Sequence, residues 1–291
     1  SDLRSADKGA TRDPELITHA LRDLVAPRLY GLCCGYEDLN DHTTLRSDPL
    51  MQTAVGTGEA LGSSATLCRM ERQARRVDVV ALNRVLIDQF IAAQTVAPKE
   101  LILDIDASDI PLHGEQEHAE FNAYYDHYCY LPLYVFCGKA MLACVLRNSR
   151  IDGAKHAAAV IKLLVTRLRQ VWPKVRIIVR GDSGFCRQRL IRWCERSAVG
   201  YVIGVARNAR LHRIVAPWEA RMGKRYAKTK TKQRLIREFV YAADSWGRER
   251  RIVTRLEFGS KGANPRFIVT NLQRSARALY DDLYCLRGEA E

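Results

Sequence analysis

The sequence predicts an α/β fold in which helices pack on a mixed β-sheet. After Leu101 the chain alternates apolar, strand-like runs with amphipathic stretches, in the order three strands, helix, strand, helix, strand. Residues 1–95 instead carry their apolar side chains mainly at helical spacing. Because strands that alternate with helices form a sheet with helices on its faces, we expect a mixed-sheet domain preceded by a mostly helical region.

The N-terminal region, residues 1–95, is predicted to contain several helices and is a candidate for DNA binding. The first amphipathic stretch is expected to break at Pro27, since proline lacks the N–H that a helix interior needs. The pair Asp48-Pro49 predicts a helix start, with Asp48 as the cap and Pro49 in the first turn. No helix-turn-helix pattern is visible in this region.

The sheet domain is predicted to comprise residues 96–206 and 266–291. Its first strand, LILDID, is followed by a polar loop at residues 107–126. Two further strands flank Gly138-Lys139, which is a hairpin signal. Residues 207–265 break the pattern, because they are rich in Lys and Arg and then alternate like strands. We interpret them as a β-rich basic insertion before the last helix.

Composition narrows the classes of function. The chain has 291 residues, 47% of them hydrophobic, and a net charge of +13. A strongly basic protein favours polyanions, above all nucleic acid. Its nine cysteines include no CxxC pair, so neither a zinc site nor a disulfide framework is predicted. No apolar run is long enough to span a membrane and no signal peptide is visible. We therefore expect a reduced, cytoplasmic protein with no membrane partner.

Three carboxylates follow buried strands. Asp104 and Asp106 lie at the end of LILDID, and Asp182 follows VRIIVRG. The C-terminal ends of strands are where open sheets bind ligands, and converging carboxylates bind hard divalent cations. Strand alternation places Asp104 and Asp106 on one face and so does not choose between them. The alternative for Asp182 is a cap on the helical turn that follows.

The last residues predict a helix. Tyr284, Arg287 and Glu291 are spaced i, i+3, i+7, so they share one face of an α-helix. An Arg beside a Tyr and a Glu suits phosphate contact next to a metal ligand, and a solvated helical face is the alternative. Since the chain starts at Ser1 and stops within this helix, we expect a fragment of a longer protein.

The basic insertion is predicted to follow the DNA backbone, with a solvated loop as the alternative. Its candidate DNA-binding residues are Arg221, Lys224, Arg225, Lys228, Lys230 and Lys232. Trp246 could stack on a base, although packing is the commoner role of a Trp among strands.

Several long blocks carry a resemblance to a known family. They include LDIDASDIPLHGEQE, YYDHYCYLPLYVFCG and RGDSGFCR. With these blocks the chain resembles transposases of bacterial insertion sequences, in the DDE superfamily. It is similar to the group whose last acid lies in a Tyr-Arg-Glu-Lys signature, and within it to the branch numbered thirteen-eighty. Tyr284, Arg287 and Glu291 match the first three positions, and the Lys would fall beyond Glu291.

The resemblance implies an RNase H-like catalytic domain and a metal-dependent transposase. Asp106, Asp182 and Glu291 would be the catalytic and metal-binding acids, with Asp104 as the alternative to Asp106. The cofactor implied is Mg²⁺, with Mn²⁺ as a substitute. Tyr284 and Arg287 would bind DNA phosphates and hold them in position.

The implied reaction is cleavage of transposon ends followed by strand transfer into target DNA. The implied partners are therefore terminal inverted repeats and target DNA, bound by a homodimer at the bacterial nucleoid. The alternatives are an RNase H-like nuclease without strand transfer, and a catalytically inactive DNA-binding fragment.

Overall fold

The computed structural model describes residues 18–289, with side chains up to Arg287. The described chain divides into two compact units, with the boundary between Ala81 and Leu82. This boundary lies inside a helix, whereas the sequence predicts the end of the helical region at residue 95. No helix among residues 18–289 is long and apolar enough to cross a membrane.

The first unit is helical. Its helices are α1 (Leu21–Cys33), α2 (His42–Leu45), α3 (Pro49–Val55), α4 (Ser64–Gln73) and the start of α5 (Arg76–Ala92). Asp48 caps α3 as predicted, since its Oδ1 accepts a hydrogen bond from Met51 N at 2.7 Å. The predicted break at Pro27 is wrong: α1 continues through it, because burial of Pro27 with Leu24 offsets the missing backbone hydrogen bond.

The second unit contains the sheets and the remaining helices. The helices are α6 (Ala157–Val171), α7 (Gln188–Arg196) and α8 (Ala209–Thr229). The strands of the large sheet are β1 (Glu100–Ala107), β5 (Leu133–Cys137), β6 (Ala140–Val145), β7 (Arg176–Gly181), β8 (Gly200–Val205), β9 (Gln233–Tyr241), β10 (Arg250–Gly259), β11 (Gly262–Ala263) and β12 (Arg266–Thr270). A small second sheet contains β2 (Ile110–Pro111), β3 (Glu120–Asn122) and β4 (His127–Tyr130).

The large sheet is mixed, as predicted. Its central strands lie in the order β6-β5-β1-β7-β8. Strands β1, β7 and β8 are parallel, and β5 and β6 are antiparallel to their neighbours. In order along the chain these five strands are arranged 3-2-1-4-5, which is the RNase H-like arrangement, and β12, β10 and β9 extend the sheet beyond β8.

The two faces of the sheet bury different helices. One face packs Leu103 and Val179 against α6, α7 and α8 in the larger core. The other face packs Ile178 and Val202 against Leu283 of the last helix. Since side chains alternate along a strand, successive residues of one strand point into the cores on opposite faces of the sheet.

Two segments differ from the prediction. The polar loop at residues 107–126 contains β2 and β3, which pair with β4; strands of two or three residues are too short to show alternation in a sequence. The segment at residues 207–265 begins with the 21-residue helix α8, and only its later part forms strands, which join the large sheet.

The last helix also differs from the predicted α-helix. It is a π-helical turn at Ala278–Tyr284 followed by a 3₁₀ turn at Cys285–Glu289. Arg180 Nη1 donates a hydrogen bond to Leu283 O at 2.6 Å. A side chain that inserts into the backbone ladder disturbs the α-helical pattern, so this contact accounts for the irregular turn.

Candidate active site

Asp106 and Asp182 lie side by side at the end of two parallel strands. The register of β1 and β7 pairs Asp104 with Arg180 and Ile105 with Gly181. The next residues on the two strands are Asp106 and Asp182, and neighbouring strands are about 4.8 Å apart. By strand alternation both carboxylates lie on the same face of the sheet as Ile178, so they belong to the layer that contains the last helix.

Asp104 lies two residues before Asp106 on β1, where it pairs with Arg180. It forms a two-pronged ion pair with Arg180, with Arg180 Nη2 donating to Asp104 Oδ2 at 2.7 Å and Arg180 Nε donating to Oδ1. Both residues are buried, at 4% and 6% exposure. Since the remaining Arg180 donor reaches Leu283 O, the pair connects two central strands to the last helix. This arrangement favours Asp106 over Asp104 as a metal ligand.

Asp182 also caps a turn, which is the alternative that its sequence suggests. Its Oδ1 accepts a hydrogen bond from Gly184 N at 2.8 Å, at the start of the 3₁₀ turn Ser183–Phe185. Capping uses one oxygen and holds the carboxylate in place. The two interpretations of Asp182 are therefore compatible.

Tyr284 lies near Asp182, and Arg287 lies next to Tyr284. A Cβ placed on Gly204 would lie 2.7 Å from Tyr284 Oη, 2.8 Å from Ser183 N and 3.1 Å from Asp182 C, so the phenol and the Asp182–Ser183 peptide both lie against Gly204. Burial raises the pKa of Tyr284, the charge of Arg287 opposes this shift, and the charge of Asp182 adds to it. The Arg287 guanidinium lies over the Tyr284 ring, 5.8 Å from its centroid.

The third predicted acid, Glu291, lies outside the described residues. Within residues 18–287, whose side chains the structure describes, no group of three or more His, Cys, Asp or Glu side chains is placed to hold a metal ion. This also applies to His113, Glu115, Glu117 and His118, whose proximity in the sequence could suggest a cluster.

The basic residues of the insertion are on a helix rather than in a loop. Arg221, Lys224, Arg225 and Lys228 are exposed and share one face of α8, while a different face is buried through Leu211, Val215 and Met222. Lys230 is the left-handed C-cap of that helix, and Lys232 pairs with Glu257 at 3.2 Å. Because α8 packs on the other face of the sheet, the structure does not group these residues with Asp106 and Asp182.

Sequence reasoning missed two residues of the candidate site. Arg180 lies within an otherwise apolar strand, and a buried Arg requires a partner, which is a signal that the sequence does carry. Gly204 gives no such signal. A side chain there would collide with Tyr284, which is far away in the sequence. Trp246 packs at the edge of the larger core, with the Arg250 guanidinium 5.1 Å from its ring centroid.

A family model described as "Transposase DDE domain group 1" matches residues 8–291. The chain belongs to this DDE transposase family. Members of the family use divalent metal ions, in agreement with the two strand-end carboxylates of this transposase domain. No curated protein matches the chain.

Solved structures similar to the transposase domain include a piggyBac transposase synaptic complex with hairpin DNA, at 13% identity and a TM-score of 0.39. The match covers 91% of this chain and 56% of that one. A Mos1 transposase paired-end complex with a left transposon end matches at 9% identity and a TM-score of 0.26, covering 69% and 64% of the two chains. The Mos1 strand transfer complex matches at 10% identity and a TM-score of 0.21, covering 69% and 62%. The domain thus spans less than two thirds of each of these transposases.

Proposed function

We propose that this chain cleaves transposon-end DNA and joins it to target DNA, as part of a bacterial insertion-sequence transposase of the thirteen-eighty branch. The observation that carries the proposal is the adjacent placement of Asp106, near the end of β1, and Asp182, directly after β7. Its site of action is the nucleoid in the cytoplasm, and its partners are terminal inverted repeats, target DNA and a second copy of the chain.

The two carboxylates fit a divalent metal site. They are hard oxygen donors on neighbouring strands, and Mg²⁺ is typically bound by one or two carboxylates together with substrate phosphates. Asp106 and Asp182 would hold the ions with Glu291 as third ligand, and Mn²⁺ would substitute for Mg²⁺. When bound, two such ions activate the attacking oxygen and stabilise the leaving oxygen of a phosphodiester.

The chain's own residues position the DNA. Arg287, held over the Tyr284 ring, presents a guanidinium for a phosphate beside the acids. Asp104 and Arg180 neutralise each other and fix the strand ends. In this proposal water attacks the phosphodiester at the transposon end and displaces a 3′-hydroxyl. That hydroxyl then attacks a target phosphodiester in line, forms the joining bond and displaces the 3′-oxygen of the target strand. The cations on α8 follow the DNA backbone and contribute salt-dependent, sequence-independent binding.

The test is cleavage of labelled transposon-end DNA, taken from the genomic flanks of the coding sequence, with Mg²⁺ and with a chelator. Asp182→Ala and Asp106→Ala are each expected to abolish metal-dependent cleavage and to retain DNA binding. Asp244→Ala is the control, since Asp244 is exposed and pairs only with Arg210 among the described residues. Cleavage retained by Asp182→Ala would refute the assignment, and nicks without joined products would indicate a nuclease without strand transfer.

A further inference from the structure

A basic cleft lies between α7 and the turn that connects β9 to β10. It has a volume of about 410 Å³ and is lined by Arg192, Glu195, Arg196, Gly247, Arg248 and Arg250. We infer that this cleft, called here the α7 cleft, binds backbone phosphates of DNA that is not at the acidic site. The inference rests on the proposed function, because it assigns a second DNA surface to the same enzyme.

The inner wall of the α7 cleft is a closed polar network. Glu195 accepts hydrogen bonds from Arg250 at 2.7 and 3.1 Å and from Tyr201 Oη at 2.9 Å, and it pairs with Arg248 at 3.0 Å. A carboxylate has about four acceptor positions, so Glu195 is saturated by these groups. It orients Arg248 and Arg250 and is not available to neutralise further cations.

The outer wall is positively charged and unneutralised. Arg192 and Arg196 are exposed on α7, and Arg189 precedes them on the same helical face at i, i+3, i+7 spacing. Among the side chains that the structure describes, up to Arg287, no carboxylate lies within 4 Å of any of these three guanidinium groups. Like charges on one helix face are unfavourable, so a row of three arginines is better explained by an anionic partner than by stability.

The location separates this cleft from the acids. Asp106 and Asp182 end β1 and β7 in the layer of the last helix. The cleft instead lies at the start of β10, where Arg251 pairs with Thr270 of β12 and Thr270 pairs with Val202 of β8. In addition, α7 packs on the opposite face of the sheet. Phosphates bound there are therefore not the ones being cut. Guanidinium groups recognise phosphate without reading bases, so the surface suits flanking or target duplex of any sequence.

The experiment measures binding of the full chain to a random duplex of about 40 bp, or four helical turns, in a chelator, so that no cleavage contributes. Arg192→Gln with Arg196→Gln is expected to weaken binding about tenfold near 0.1 M salt. The slope of log K against log salt should fall in magnitude by about 0.9 for each phosphate that the variant no longer neutralises. Arg192→Glu with Arg196→Glu should weaken binding further, and thermal unfolding establishes that both variants fold.

The matched control is Lys162→Gln with Lys174→Gln, which removes two exposed charges on and just after α6 and should leave the slope unchanged. An unchanged slope in the arginine variant overturns the inference. So does displacement of DNA by inorganic phosphate at constant ionic strength, because that result identifies a small-anion site. Neither outcome depends on cleavage, so a chain that binds in this way but never cuts DNA would refute only the proposed function.

Discussion

The two neighbouring acids of β1 differ in what surrounds them. Asp104 forms a buried ion pair with Arg180, while Asp106 reaches the edge where the strand ends. Removing one partner of a buried pair leaves an uncompensated charge, which costs about 3–5 kcal/mol. The same chemical group therefore supports folding at Asp104, and we propose that it serves in metal binding two residues later, at Asp106.

Arg180→Met tests this difference. We expect it to lower the free energy of unfolding by about 3–5 kcal/mol, because Asp104 is left buried without its partner. Urea unfolding followed by circular dichroism measures the loss. Adding Asp104→Leu should recover most of it, since an apolar pair of similar volume replaces the ion pair. Asp106→Asn should lower the midpoint less, because Asp106 is only half-buried; a midpoint as low as that of Arg180→Met would contradict the distinction.

This part of the site could be predicted only in part. The sequence locates Asp104, Asp106 and Asp182 at strand ends, but alternation gives both acids of β1 the same face. Only the strand register shows that Arg180 lies opposite Asp104. Pairing between residues so far apart in the chain depends on the assembled sheet, and a local pattern does not contain it.

At the scale of elements, the last helix can lie close to the sheet because Gly204 has no side chain. Gly204 on β8 leaves the space that Tyr284 Oη and the Asp182–Ser183 peptide occupy. Regular α-helix was predicted here from spacing alone. The observed π-helical and 3₁₀ turns contain the contact between Arg180 and Leu283 O, which the spacing does not reveal. Elements with strong local signals, such as β5, β6 and α6, were predicted correctly.

Gly204→Ala is expected to destabilise the protein by about 1–3 kcal/mol, the usual cost of overpacking. The added methyl group would meet backbone atoms at 2.8 and 3.1 Å, so the Asp182 turn and Tyr284 must move. We therefore expect DNA cleavage to fall more than binding does. Gly58→Ala is the matched control, because a Cβ at Gly58 meets nothing within 4 Å. Wild-type stability and cleavage in Gly204→Ala would show that the turn adapts freely.

At the scale of the molecule, the order of strands and helices along the chain was sufficient to predict a mixed sheet with helices on both sides. The way in which residues 207–265 join that sheet was not predictable, since β9 and β10 could equally have formed a sheet of their own. Instead β10 pairs with β12, which pairs with β8, and this arrangement brings Arg250 next to Glu195. The network around Glu195 thus connects α7, β8 and β10, and we expect it to affect the stability of the whole fold.

The pH dependence of unfolding tests this role. Burial alone would raise the pKa of Glu195, but hydrogen bonds from Arg250, Arg248 and Tyr201 outweigh it and lower the pKa from 4.5 to about 2. A depressed carboxyl pKa stabilises the fold above the unfolded value, and this stability is lost as pH falls from about 4.5 to about 2. At pH 7 the shift corresponds to a contribution on the order of 3 kcal/mol.

Glu195→Gln should therefore be less stable than wild type at pH 7, and urea unfolding should show the two converging near pH 2. A difference that stays constant across this range would mean that Glu195 stabilises the fold through packing rather than through its charge.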